Sequence, residues 1–178
     1  MKKQRNIVLF LVKFFATYFI LFGTYSFYLQ KTQQKGDVFS CSPITHKVAQ
    51  QTNSVLSLFG YNASVVQHNK EMSVKIVLNG YYIARVIEGC NSVSILILFL
   101  AFVVAFPGSL KATILFSIAG SLIIYAVNIL RIAFLTVMLF KYHDHQTLLH
   151  NLVFPAIIYG ITFLLWVLWV HKFSNYKK

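Results

Sequence analysis

Four long apolar segments constrain the fold of this 178-residue chain more than any other feature. They are Ile7–Leu29, Ser92–Phe106, Ala112–Phe140 and Leu152–Val170. A helix that crosses a bilayer needs about 20 mostly apolar residues, and the second segment is short enough to require flanking residues or a thinned bilayer. The composition agrees, because 57% of the residues are hydrophobic and only 11% are charged. The sequence therefore predicts an α-helical integral membrane protein with a four-span helix bundle.

The basic residues predict how these spans are oriented. The N-terminus, the loop between the second and third spans, and the C-terminus carry Lys2, Lys3, Arg5, Lys111, Lys172, Lys177 and Lys178. Four spans place these regions on one side, which the positive-inside rule assigns to the cytoplasm. The four acidic residues, Asp37, Glu71, Glu88 and Asp144, fall on the opposite side. We expect a multi-pass protein of the cytoplasmic membrane with both termini in the cytoplasm.

The segment between the first two spans predicts a small extracytoplasmic α+β cap. Ser42 followed by Pro43 is typical of a helix N-terminus. Farther on, ASVVQH, SVKIVL and YYIARV resemble strands, and the last two are joined by Asn79-Gly80, a strong hairpin signal. The predicted parts are the first span with a cytoplasmic N-terminus (1–29), the cap (30–89) and a three-span catalytic core with a cytoplasmic C-terminus (90–178).

The sequence predicts no nucleic acid, no metal ion and no cofactor as a ligand. The net charge is +12, but the basic residues are scattered and no aromatic platform lies between them. The polar run HDHQTLLH contains four residues of types that bind metals, His143, Asp144, His145 and His150. Their spacing does not match the helical HExxH pattern of zinc enzymes. The lipid bilayer is therefore the partner that the composition predicts.

Three reactive side chains are predicted to meet at one membrane level. Arg131 lies within the apolar run YAVNILRIAFL, where a charge indicates function unless it snorkels to the headgroups. Counting residues along the spans puts Arg131 near the outer end of the third helix. Cys90 falls at the outer start of the second helix, and His150 at the outer start of the fourth. We therefore predict Cys90, Arg131 and His150 as a catalytic group.

The chemistry of these residues fits nucleophilic catalysis. A helix that begins near Asn91-Ser92 would stabilise a Cys90 thiolate through its unpaired N–H groups and its dipole, and the Arg131 guanidinium would add a fixed charge. His150 would accept the thiol proton and return a proton to a leaving amine. Asn128, three residues before Arg131, is expected to orient the guanidinium.

The motifs EGCNSVSILI, NILRIAF and LLHN, each at its expected place in the spans, resemble the exosortase/archaeosortase family, and within it subclass F. The resemblance covers about Glu88 to Val170. It implies a membrane-embedded cysteine transpeptidase that cleaves C-terminal sorting signals of exported proteins, with Cys90 as the nucleophile and Arg131 and His150 as catalytic partners. The implied substrate ends in a short motif, a transmembrane segment and a basic tail. Glu88 and Asn91 lie in the nucleophile motif and are expected to support the site.

The sequence departs from the family pattern at one place, because many members have Ser-Gly or Ala-Gly after the nucleophile and this chain has Asn91-Ser92. A second interpretation is also open. Cys41 and Cys90 both fall outside the cytoplasm, where disulfides persist. A Cys41–Cys90 disulfide would make the protein a non-enzymatic membrane scaffold or assembly factor.

Overall fold

The computed structural model describes residues 2–33, 39–142 and 154–173. Five α-helices and three strands make up these segments. The helices are α1 Lys2–Thr32, α2 Pro43–Leu58, α3 Val93–Ala105, α4 Leu110–Lys141 and α5 Phe154–Leu168, the last continuing as a π-helical stretch over Trp169–Phe173. The strands are β1 Ala63–Gln67, β2 Ser73–Leu78 and β3 Tyr81–Ile87.

Three helices in the described part of the chain are long and apolar enough to cross a membrane. They are Gln4–Thr32, Leu110–Lys141 and Pro155–Phe173. The fourth apolar helix, α3, has 13 residues and is therefore about 20 Å long. It ends at Ala105 because Phe106 precedes Pro107, and the residue before a proline is disfavoured in helical conformation. The fold is thus a helical membrane protein with a small sheet, and the four-span arrangement stays a prediction.

Ring contacts show how the apolar helices are arranged. Phe10, near the start of α1, packs on Phe102 and Phe106 at the end of α3, with centroid distances of 6.1 Å and 4.7 Å. Phe116, near the start of α4, packs on Trp169 beyond the end of α5 at 5.0 Å. In addition, α3 packs against α4. The helices therefore alternate in direction, as they do in a bundle of antiparallel neighbours.

The bundle has its own apolar core, which is formed by buried residues of α3, α4 and α5. These residues are Phe99, Val103, Phe116, Ile124, Ile158 and Trp169. Gly120 permits the close packing of α3 on α4, since a Cβ built there would lie 2.2 Å from Cζ of Phe99. The outward side of α1 is apolar and exposed, as expected of a surface that contacts lipid acyl chains.

The helix and strands between α1 and α3 follow the sequence prediction. Ser42 is the N-cap of α2, and its hydroxyl accepts a hydrogen bond from the N–H of Thr45 at 3.4 Å. The three strands form an antiparallel sheet in the order β1-β2-β3. Asn79 and Gly80 both have positive φ, 51° and 85°, as a tight hairpin turn requires. We call α2 and this sheet the cap.

The cap has a second apolar core, to which α4 also contributes. Val48 and Leu56 of α2 pack with Val74, Ile76 and Leu78 of β2, and Ile132 and Ala133 of α4 belong to the same cluster. Since Phe116 and Ile124 of α4 lie in the bundle core, one helix joins the two cores. Arg131 lies beside the point where α4 enters the cap.

Candidate active site

Cys90 ends a 3-10 turn, Glu88–Cys90, that connects β3 to α3. The chain thus passes from the sheet to the bundle within a few residues, and the thiol lies at this junction. Cys90 is half-buried and carries a free thiol. Its side chain packs against the edge of the cap core. The sequence predicted this position for the residue.

The carboxylate of Glu88 fixes the turn to the start of α2. Its Oε1 accepts a hydrogen bond from the backbone N–H of Ser42 at 2.7 Å. Its Oε2 accepts from the hydroxyl of Ser42 at 2.8 Å, and also from the hydroxyl of Thr45. A carboxylate at a helix N-terminus is stabilised both by these donors and by the helix dipole. Glu88 therefore holds the Cys90 turn in a defined place on the cap.

Asn91 extends the same network to the first membrane helix. Its Nδ2 donates to the hydroxyl of Tyr25 at 2.7 Å, and lies 3.0 Å from Oγ1 of Thr45 and 3.2 Å from Oε2 of Glu88. Its Oδ1 accepts the N–H of Val93 at 3.1 Å, so one N–H group at the start of α3 is already paired. Asn91 is buried, with 1% of its surface exposed. These bonds connect the residue after Cys90 to α1 and α2.

Ser92 has a left-handed backbone conformation at the start of α3. Its φ is 64°, in the region that favours glycine. The serine is buried, and its hydroxyl donates to the carbonyl of Asn91 at 2.6 Å. Ser92 therefore adopts the left-handed backbone conformation although it is not a glycine. The expected cost is on the order of 1–2 kcal/mol.

Asn128 supports the turn and has no bond to Arg131 in the structure. Its Nδ2 donates to the backbone carbonyl of Cys90 at 2.8 Å. The residue is fully buried, and its Oδ1 has no hydrogen-bond partner among the described residues. The sequence placed Asn128 on the correct side of α4 but assigned it to the guanidinium. The contact with Cys90 arises because α4 crosses directly beside the 3-10 turn.

Arg131 and Cys90 line the same cavity, which has a volume of about 710 Å³. Residues of β3, α3 and α5 complete the lining of the cavity. Among the described residues, Arg131 has no carboxylate partner, since the ion pair found there joins Arg85 to Glu71. An arginine without a carboxylate partner is available to a substrate carbonyl or to a developing negative charge.

Two tyrosines belong to the candidate site, although no sequence motif indicates a role for either. Tyr159 of α5 lines the same cavity as Arg131. Tyr25 of α1 contributes its hydroxyl, which accepts the hydrogen bond from Asn91. Tyrosines near the ends of membrane helices are common for reasons unrelated to catalysis. Only the three-dimensional arrangement distinguishes these two.

His150 lies outside the described residues, so its predicted role is not tested. The other members of the alternative metal site, His143, Asp144 and His145, lie outside them as well. In the described segments, no group of three or more His, Cys, Asp or Glu residues could hold a metal ion.

Cys41 is a free thiol in the cap core, and the Cys41–Cys90 disulfide of the alternative interpretation is not formed. Only 5% of its surface is exposed. Burial raises the pKa of Cys41 from 9.0 to about 11, and the nearby Glu88 carboxylate adds to this effect. Since the thiolate is the reactive form, Cys41 is expected to be inert at neutral pH.

We expect the two cysteines of the purified protein to react with N-ethylmaleimide at very different rates. At pH 8, a pKa of about 11 leaves about one Cys41 thiol in a thousand ionised, and burial limits access further. Peptide mass spectrometry over time should show modification of Cys90 first. The Cys90→Ala variant should take up almost no reagent until it is unfolded. Equal rates at the two positions would contradict this account of the cap.

Comparison with known protein families gives one match, which covers residues 7–171. The matching family is described as transmembrane exosortase. No curated protein and no solved structure matches the chain. The match extends over both the apolar helices and the cap, and it includes the Cys90 turn and Arg131. The chain therefore belongs to the transmembrane exosortase family.

Proposed function

We propose that this protein is a membrane-embedded cysteine peptidase or transpeptidase that cleaves C-terminal sorting signals of exported proteins. The observation that carries the proposal is the shared cavity of Cys90 and Arg131, in which the thiol of Cys90 is free. Family membership supports the reaction class. The nucleophile motif EGCNSVSILI supports subclass F.

The proposed reaction proceeds through a thioester. The Cys90 thiolate attacks the scissile carbonyl after its proton passes to His150. Arg131 and the N–H groups at the start of α3 stabilise the tetrahedral oxyanion. His150 then protonates the leaving amine, the C–N bond breaks, and the N-terminal part of the substrate remains on the sulfur. Water, or an amine or hydroxyl acceptor, releases it.

Each supporting residue has a defined task in this proposal. Asn128 and Asn91 hold the backbone that follows the thiol, through the bonds to the Cys90 carbonyl and to the Val93 N–H. Glu88 holds the turn against α2. These residues position the nucleophile without contacting the reacting atoms, and no cofactor or metal is required.

We further propose four spans with both termini in the cytoplasm and the Cys90 cavity at the outer face of the cytoplasmic membrane. The arrangement of the helices supports this. Arg5 near the start of α1, Lys111 at the start of α4 and Lys172 beyond the end of α5 lie toward one end of the bundle. Glu71 and Glu88 lie at the other end, with the cap. In this topology α3 crosses with the help of its flanking residues and a thinned bilayer.

Single-cysteine variants test the topology. In a Cys41→Ala/Cys90→Ala background, Asn69→Cys places an exposed thiol in the loop between β1 and β2, and Lys111→Cys places one at the start of α4. A membrane-impermeant maleimide added to intact cells should label position 69 and leave position 111 unlabelled until the membrane is permeabilised. Labelling of position 111 in intact cells would overturn the proposed orientation.

A cleavage assay tests the reaction. The candidate substrate is an exported protein of the same cell that ends in a short motif, an apolar span and a basic tail, tagged at its N-terminal end. Cys90→Ser should abolish its shortening, and Arg131→Ala should slow it by about 10²- to 10³-fold, as expected when an oxyanion contact is lost. His150→Ala should slow acyl transfer while Cys90 still reacts with maleimide.

Cys41→Ala is the matched cysteine control and should shorten the substrate at the normal rate. Arg131→Lys keeps the charge but loses the planar guanidinium. Its rate of substrate shortening should therefore lie between the rates of Arg131→Ala and the unmodified protein. Normal shortening by Cys90→Ser would end the proposal. The non-enzymatic scaffold would then become the better account.

A further inference from the structure

The outer edge of β3 is unpaired in the described part of the chain. The sheet order is β1-β2-β3, so β3 pairs with β2 on one side and is an edge strand on the other. Most of its residues are exposed or half-buried, whereas four of the six residues of the central strand β2 are buried. An edge strand presents a row of free N–H and C=O groups that can pair with another chain.

This edge borders the active-site cavity along most of its length. Six consecutive residues, from Tyr82 to Ile87, line the cavity. Successive side chains of a strand point to opposite faces, so a cavity that lay over one face would contact every second residue. Contact with six residues in a row therefore indicates that the backbone edge of β3 faces the cavity.

The same row leads directly to the nucleophile. After Ile87, the cavity lining continues through Gly89 to Cys90, and Arg131 and Tyr159 lie on the α4 and α5 sides. Among the described residues, a Cβ built on Gly89 would have no neighbour within 4 Å. Open space beside the thiol is what a polypeptide backbone needs in order to reach it.

We propose that β3 is the substrate-docking strand: an extended segment of the substrate pairs with its outer edge and brings the scissile carbonyl to Cys90. This inference rests on the proposed function and adds how the substrate is held. Main-chain hydrogen bonds provide affinity for an extended peptide of almost any sequence, while side chains that face α4 and α5 provide selection.

The direction of the added strand follows from the position of the thiol. β3 runs toward Cys90, so its C-terminal end lies nearest the nucleophile. The part of the substrate that stays on the sulfur is N-terminal to the cleaved bond, and its C-terminal end is the one at the thiol. The substrate strand is therefore parallel to β3. The length of the contact is about 17 Å, because each of the roughly five steps between its residues rises about 3.3 Å.

Peptidyl chloromethyl ketones test this with the full-length protein and do not require the natural substrate. The Cys90 thiolate displaces chloride from such a reagent and forms a stable thioether, and the peptide then lies where the acyl part of a substrate would lie. The probes are N-acetylated peptides of alternating valine and threonine, from one to eight residues, ending in glycyl chloromethyl ketone. The second-order rate of Cys90 modification should rise with length and level off at about five or six residues.

Backbone methylation separates main-chain pairing from simple apolar contact. In a six-residue probe, N-methylation should slow modification by about threefold to tenfold at alternate positions, where the N–H bonds to β3, and should have little effect at the positions between them. A chloroacetyl peptide of the same composition, which carries its reactive group at the N-terminus, runs the opposite way from the thiol. Its rate of Cys90 modification should not rise with peptide length.

Two glycine variants provide a matched pair. Gly89→Ala adds a methyl group to the space beside the thiol, and Gly23→Ala adds one on α1. In the part of the chain that the structure describes, neither new Cβ has a neighbour within 4 Å. The rate with the six-residue probe should fall in Gly89→Ala and stay unchanged in Gly23→Ala. Circular dichroism and thermal unfolding should show that both variants fold normally.

Three results would overturn the proposal: rates independent of peptide length, equal effects of N-methylation at every position, or equal rates for the two peptide directions. A second copy of the chain would be the better partner for the β3 edge under two joint results. The Tyr82→Cys protein would form a disulfide-linked dimer in membranes, and the rate of Cys90 modification would not depend on peptide length. Iodoacetamide keeps this test separate from the proposed function. Rapid modification of Cys90 by this small reagent would show that the thiol is reactive, and that result would stand even if β3 binds no peptide.

Discussion

The carboxylate of Glu88 connects the parts of this protein that have to meet at the thiol. It accepts hydrogen bonds from Ser42 and Thr45 at the start of α2 and lies within reach of Asn91, which in turn bonds to Tyr25 of α1. No Lys or Arg side chain among the described residues pairs with it. Its charge is stabilised instead by N–H and O–H donors and by a helix N-terminus. Breaking this network would release the Cys90 turn from both the cap and the first membrane helix.

The position of Arg131 follows from a second constraint, the shared use of α4 by two cores. Phe116 and Ile124 are buried among the bundle helices, while Ile132 and Ala133 are buried under the cap. The arginine lies at the boundary between these regions and lines the cavity with Cys90. A charge at this boundary avoids the full cost of the hydrocarbon interior and still has fewer water contacts than a surface residue. A charge–charge interaction between the guanidinium and a Cys90 thiolate would be stronger there than in bulk water.

Much of the fold could be predicted because its signals are local. Ser42-Pro43 and Asn79-Gly80 predicted a helix start and a hairpin turn, and each is present. The apolar runs predicted the helices, although α4 extends beyond the predicted Ala112–Phe140 at both ends. Counting residues along those helices was enough to bring Cys90 and Arg131 together. Local signals also explain why α3 is short, since Pro107 closely follows its end.

The connections that hold the site could not be predicted, because they join residues far apart in the sequence. The bond between Ser42 and Glu88 spans 46 positions, and the bond between Tyr25 and Asn91 spans 66. No periodicity or motif indicates which polar side chain meets which across such distances. Asn128 shows the same limit. Its place near Arg131 on α4 follows from the sequence, but its hydrogen-bond partner depends on how closely α4 passes the 3-10 turn.

Detection of the acyl-enzyme would test the central claim, that Cys90 is the nucleophile, most directly. Protein from cells that also express the candidate substrate would be quenched in acid and analysed by intact and peptide mass spectrometry. The account predicts an adduct on Cys90 whose mass equals the N-terminal part of the substrate and which neutral hydroxylamine removes, as expected of a thioester. Continued shortening of the substrate with Cys90 unmodified, or with the adduct on another residue, would contradict it.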